Sequence, residues 1–220
     1  MKKLKLVLLL AVLCMPFLQS CNDKIDQPSQ YALLTIRTPE VGAGSNWIGI
    51  LDNGDRMYVG DATRIANYKP KDGQRAIVYF NELETPVSGY KYNAAVYGVE
   101  EILTKRTIEL SDKQYDTLGT DNIGITKAWI AGGYLTVEYN VLYNGMSKHV
   151  LNLAYNTVEV LETKDGYTTL DFRHDAKGVK DGQLARGYVC FRLNDYDPEF
   201  TGDKGLYIRY KSFRPDGDNS

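Results

Sequence analysis

Histidine and cysteine are scarce in this chain, at two and three among 220 residues. A metal centre or an acid–base pair built on imidazole has little to draw on, and no HExxH or paired zinc-ligand spacing occurs. A glycine loop of the kind that cradles phosphate is missing as well. Neither sign of charge prevails: 26 basic side chains face 28 acidic ones, which gives no general attraction to nucleic acid or to anionic headgroups. A membrane-spanning stretch is also wanting. The apolar run over residues 6–18 has thirteen residues, roughly 20 Å of helix against a hydrocarbon core of about 30 Å.

That short run has a use of its own. Met1-Lys2-Lys3-Leu4-Lys5 makes a positive start, the run follows, and Pro16 with Gln19-Ser20 closes it. This is the layout of a secretory signal peptide. The run ends in Leu18-Gln19-Ser20-Cys21, which resembles the lipobox of bacterial lipoproteins. In that chemistry the Cys21 thiol becomes a thioether to diacylglycerol, and a peptidase that reads Leu18, Gln19 and the small Ser20 cuts before it. The new amine is then acylated. Two or three chains, at about 0.8 kcal/mol per buried methylene, make such an anchor effectively permanent. Residues 1–20 hold Lys2, Lys3 and Lys5 and no acid, so cleavage leaves 23 basic and 28 acidic side chains and a formal net of −5.

The cysteines then dwindle to one. Cys14 leaves with the signal peptide and Cys21 carries lipid, so Cys190 has no partner for an intramolecular disulfide. In Tyr188-Val189-Cys190-Phe191-Arg192-Leu193 the apolar face is Val189, Phe191 and Leu193, with Cys190 on the other face as a small, partly covered strand residue.

Residues 21–29 are polar, contain Pro28 and lack periodicity, as a flexible tether would. From Tyr31 onward the apolar period is two, the mark of strands. Segments at 32–36, 47–51, 57–59, 76–80 and 90–103, divided by turns such as Asp52-Asn53-Gly54-Asp55, give five strands over residues 30–110. Five suit a small, partly open barrel of the OB type. Ser111 and Gln114 have capping-box spacing, so a single helical turn is expected at the junction. Seven strands follow within residues 111–215, at 125–130, 134–143, 148–155, 157–162, 167–172, 187–193 and 205–210. Asn144-Gly145 and Asp165-Gly166 are hairpin signals. The fold class expected is all-β, an OB-like barrel followed by an antiparallel β-sandwich.

Candidate chemistry is thin. His149 shares a face with Leu151, Leu153 and Tyr155 and is expected as a hydrogen-bonded residue at the core edge. His174 beside Asp175 could form a base but lacks a nucleophile, and a loop clamp is the better expectation. Asp195, Asp197, Glu199 and Asp203 could offer oxygens to Ca²⁺, although the EF-hand register is absent. Arg64, Tyr68, Lys69, Lys71 and Arg75 form a basic-aromatic cluster that reads as a solvated turn, because residues 30–110 hold nine basic and ten acidic side chains. Seventeen tyrosines against six phenylalanines suit sheet rims and, functionally, a platform for sugars or peptides.

Several segments together resemble the NigD-like lipoproteins of Bacteroidetes. They are the lipobox, Tyr31-Ala32-Leu33-Leu34-Thr35, Tyr68-Lys69-Pro70-Lys71-Asp72-Gly73-Gln74-Arg75, Ile102-Leu103-Thr104-Lys105, Trp129-Ile130-Ala131-Gly132-Gly133-Tyr134-Leu135 and Phe172-Arg173-His174. The resemblance runs through almost the whole cleaved chain in order. It implies an OB-like domain, then a β-sandwich, and its founder has a proposed immunity role within a bacteriocin operon; it carries over no catalytic or binding residue. Asp23 and Asp26 resemble, with Lys24 interrupting, the signal that sends some lipoproteins of that phylum to the surface, so either face of the outer membrane fits. The expectation is a non-catalytic lipoprotein without cofactor, membrane-bound through lipid, that binds a protein, peptide or glycan in a protective role. The alternatives are a surface glycan-binding module and a hydrolase using His174 and Asp175.

Overall fold

Thirteen strands and one 3₁₀ turn make up the computed structural model, which describes residues 27–38, 47–111, 117–156, 166–193 and 205–212. The first five strands are β1 (Gln30–Arg37), β2 (Ile48–Leu51), β3 (Arg56–Asp61), β4 (Arg75–Glu82) and β5 (Tyr92–Glu101). Their period-two pattern places alternate side chains inward. Leu34 and Ile36 of β1 meet Met57 and Val59 of β3, Ala76, Val78 and Phe80 of β4, and Ala94 and Val96 of β5 in one buried core. The strands close into a barrel in the order β1-β2-β3-β5-β4, where the sequence suggested a partly open one. Closure follows from the length of β1. Its end pairs with β2 through residues 34–37, and most of its length pairs with β4 through residues 30–35. The parallel β3–β5 pair completes the ring.

The chain then enters the second unit. β6 (Leu103–Arg106) and β7 (Ile108–Leu110) pair there and not with the barrel, joining opposite sheets on either side of Thr107. One sheet has the order β6-β12-β9-β8 and the other β13-β11-β10-β7, with β8 (Gly124–Ala131), β9 (Tyr134–Tyr143), β10 (Val150–Asn156), β11 (Thr168–Asp175), β12 (Gln183–Arg192) and β13 (Leu206–Arg209). Their facing sides bury Leu135, Val137, Leu151, Leu153, Leu170, Phe172, Val189 and Phe191.

Two expectations change here. The sandwich is mixed, because β6, β7 and β13 each add to a sheet margin in parallel. Asn144-Gly145 is no hairpin: β9 and β10 lie in different sheets, so this turn crosses the sandwich. The tight hairpin is Gly132-Gly133, where Ala131 pairs with Tyr134. Both glycines have positive φ (57° and 83°), as a two-residue turn matched to strand twist requires. Residues 112–116 of the helical turn expected from Ser111 to Leu118, the strand at 157–162 and the approach to Asp165-Gly166 lie outside the described residues.

Candidate functional site

Strands β4 and β12 each have a second face, and these faces meet. On β4 the residues between the core positions are Arg75, Ile77 and Tyr79; on β12 they are Arg186, Tyr188 and Cys190. Cys190 and Tyr134 pack with Ile102, Ile77 and Leu33 where the barrel meets the sandwich. At the centre lies Arg75, 1% exposed. It donates two bonds to the Asp52 carboxylate, at 2.6 and 2.8 Å, and further bonds to Thr35 of the barrel and Thr136 of the sandwich. The Trp129 indole N–H reaches the same carboxylate at 2.6 Å. Tyr134 donates to the Gly73 carbonyl at 2.7 Å, adding another bond across the junction.

Beside this seam the two units part into a cleft of about 420 Å³. Tyr31 and Tyr79 form one wall, their ring centres 6.3 Å apart, and Tyr188 and Arg186 form the other. Ile77, Ile102 and Leu103 supply its apolar lining, and Glu100 and Glu101 its carboxylates. Tyr79 donates to Glu100 at 3.3 Å; burial and that carboxylate push the phenol above its ordinary pKa. Tyr188 donates to Glu138 at 3.1 Å, and Arg186 sits 2.7 Å from the same carboxylate. A bond from the Thr126 hydroxyl, helped by Arg186 and Tyr188, holds the Glu138 carboxyl below the usual range. Glu101 takes Lys71 and Tyr68, both at 3.3 Å. Burial first, then the Glu101 charge, push Tyr68 up to about 12.

A second constellation lies at the far end of the sandwich. His149 Nδ1 stands 2.8 Å from His174 Nε2, and His174 Nδ1 stands 2.9 Å from the Asn122 carbonyl. A carbonyl only accepts, so His174 carries its proton on Nδ1 and receives one from His149 at Nε2. His149 Nε2 is buried without a hydrogen bond. Neither imidazole has a nucleophile in its hydrogen bonds.

The NigD-like C-terminal beta sandwich domain matches residues 106–219, and the NigD-like N-terminal OB domain matches residues 38–102. The chain belongs to the NigD-like family. Among solved structures it is similar to a protein of unknown function from Bacteroides vulgatus, 27% identical, TM-score 0.67, covering 87% of this chain and 93% of that one. A toxin-related protein from Parabacteroides distasonis is 29% identical, TM-score 0.61, covering 74% and 77%. A NigD-like immunity protein from Bacteroides caccae is 24% identical, TM-score 0.64, covering 86% and 89%; at that identity the likeness bears on the fold alone. No curated protein matches.

In this NigD-like chain the residues singled out from sequence fall apart as an active site. Asp175 directs its carboxylate to the Lys177 ammonium at 2.7 Å and to the Lys177 N–H, away from the His174 ring nitrogens. His174 is 2% exposed and His149 half-buried, and it is the two histidines that pair. Cys190 is fully buried, not partly covered, because the barrel packs over its side of β12; burial raises its thiol pKa, and Thr136 lies 3.4 Å from the sulfur. The basic-aromatic cluster assembles only in part: Tyr68 and Lys71 meet on Glu101, while Arg75 is in the junction and Arg64 lies over the Tyr97 ring. Leu18, Gln19, Ser20 and Cys21, and the acidic loop with Asp195, Asp197, Glu199 and Asp203, lie outside the described residues. Among the described residues no group of three His, Cys, Asp or Glu side chains could hold a metal.

The burial of His174 makes stability depend on pH. Burial, with the neighbouring His149, lowers the His174 pKa and outweighs the bond to Asn122. The unfolded chain therefore takes up a proton first as pH falls below about 6.5. Stability is full above that value and declines as pH drops toward the lower folded value, by at most about 1.4 kcal/mol per pH unit for one proton. Thermal melts at pH 7 and pH 5 are expected to show a lower midpoint at pH 5, with the difference reduced in His174→Gln. Equal midpoints for the natural chain would remove this account.

Proposed function

We propose that this chain is a non-catalytic lipoprotein of the outer membrane, held by lipid on Cys21, that protects its cell by binding a secreted antagonist in the cleft between barrel and sandwich. The cleft carries the reading. It is walled by both family domains, and ligand sites favour such junctions. The candidate catalytic pair supports a binding role, since His174 and Asp175 have separate partners. The name given to a toxin-related relative, 29% identical, agrees with protection.

Deleting the gene is expected to sensitise the cell to culture supernatants from some related strains. The complete gene should restore protection, and Cys21→Ala, which removes the thioether, should not. Mass spectrometry of the native protein should find an acylated N-terminal Cys21. A killing spectrum unchanged across a broad panel of producers would retire the protective reading.

A further inference from the structure

We infer that the cleft between barrel and sandwich is a cation-reading site, which takes the lysine or arginine side chains of a peptide. This rests on the cleft being the binding face and adds the chemistry of what it binds. The polar groups on its lining are disposed to accept. Glu100 accepts from Tyr79 alone among the bonds described, Glu101 shares its carboxylate between Lys71 and Tyr68 at 3.3 Å and keeps lone pairs for a further donor, and Tyr188 gives its hydroxyl proton to Glu138. Arg186, the cation of the lining, is held by Glu138 at 2.7 Å. Ammonium and guanidinium groups only donate, so they complement such a lining. Sugar hydroxyls both donate and accept and would find few donors, and an anion would meet the two carboxylates.

The apolar parts fit the same ligand. Tyr31, 74% exposed, and Tyr79 lie side by side on the lining and offer aromatic surface on which a cation can stack. The barrel already stacks arginine on tyrosine in this way, with Arg56 4.6 Å from the Tyr90 ring centre and Arg64 4.4 Å from that of Tyr97. The apolar lining of Ile77, Ile102 and Leu103 matches the methylene stems of lysine and arginine. Position favours it too. Asn81, two residues along β4 from Tyr79, bonds the Gln27 carbonyl and the Ser29 N–H, so the chain arriving from Cys21 is fastened beside the cleft. Six residues reach at most roughly 20 Å. With Cys21 in the bilayer, the cleft stays near the anionic surface on which cationic peptides gather.

The test uses the acylated mature chain in non-ionic detergent, titrated by calorimetry with blocked pentalysine, blocked pentaglutamate and a neutral glucose pentasaccharide. Pentalysine is expected to bind, and more weakly in high salt. The variant carrying Glu100→Gln and Glu101→Gln should bind it about tenfold more weakly, and Tyr31→Ala about two- to five-fold more weakly. Arg186→Gln, which releases Glu138, should tighten it. Binding of pentaglutamate or the pentasaccharide in place of pentalysine overturns the inference, as does pentalysine binding that Glu100→Gln, Glu101→Gln and Tyr31→Ala all leave unchanged. The two readings fail separately. Protection in cells without pentalysine binding sinks the cation chemistry alone, and pentalysine binding without protection sinks the cellular role alone.

Discussion

Asp52→Ala is expected to destabilise the folded chain by about 3–5 kcal/mol, the cost of leaving a buried charge without its counter-charge. Arg75 is 1% exposed, and burial works against its charge while Asp52 restores it, so its pKa ends above the ordinary arginine value. Without the carboxylate, the guanidinium keeps the hydroxyls of Thr35 and Thr136, the Tyr134 ring and the Cys190 thiol but no counter-charge among these partners, and the Trp129 indole loses its acceptor as well. The Asp52 side chain is 20% exposed, so water entering the gap moderates the loss toward the lower figure. Arg75→Met is expected to cost less, because it removes the buried charge and leaves Asp52 with Trp129 and solvent. Urea unfolding followed by tryptophan fluorescence measures both. Trp47 reports the barrel core and Trp129 the junction. An Asp52→Ala midpoint within error of the natural chain would show that this pair does not hold the units together.

The same junction shows how far the sequence could be read. The barrel strands were legible because their signal is local: Ala76, Val78 and Phe80 alternate on β4, and each finds the core simply by pointing inward. The other face of β4 was not legible. Arg75, Ile77 and Tyr79 look like the solvated side of a strand, and only the fold brings β12 opposite them. Sequence proximity therefore groups Arg75 with Tyr68 and Lys71, although its partner is Asp52, 23 residues away. Parallel pairing was hidden for the same reason. β6 joins β12 through Leu103↔Val189, and β7 joins β10 through Ile108↔Ala154, so no short turn announces either. Asn144-Gly145 misled because positive φ allows a tight turn without requiring that its flanking strands pair; Gly145 does have φ 81°.

Phe191→Ala is expected to cost about 3–5 kcal/mol, through lost burial and the cavity left behind. Phe191 is fully buried and meets Phe172 edge to face, ring centres 5.7 Å apart at 88°. That contact joins β12 of one sheet to β11 of the other, so the void would open in the middle of the sandwich core. The walls have little freedom to collapse into it. β12 is held along ten residues by β9 and on its other side by β6, with Val189 and Leu135 packed in the same cluster. Cys190→Ala, one position along, is the informative comparison. Its side chain faces the barrel, and the change removes one sulfur and its contact with Thr136, so the loss should be clearly smaller. The cleft lies on this barrel-facing side, with Tyr188 and Arg186 on the same strand. Chemical denaturation of the two variants therefore separates the faces of β12. If Cys190→Ala proved as damaging as Phe191→Ala, the junction and not the sandwich core would be the main support of this strand.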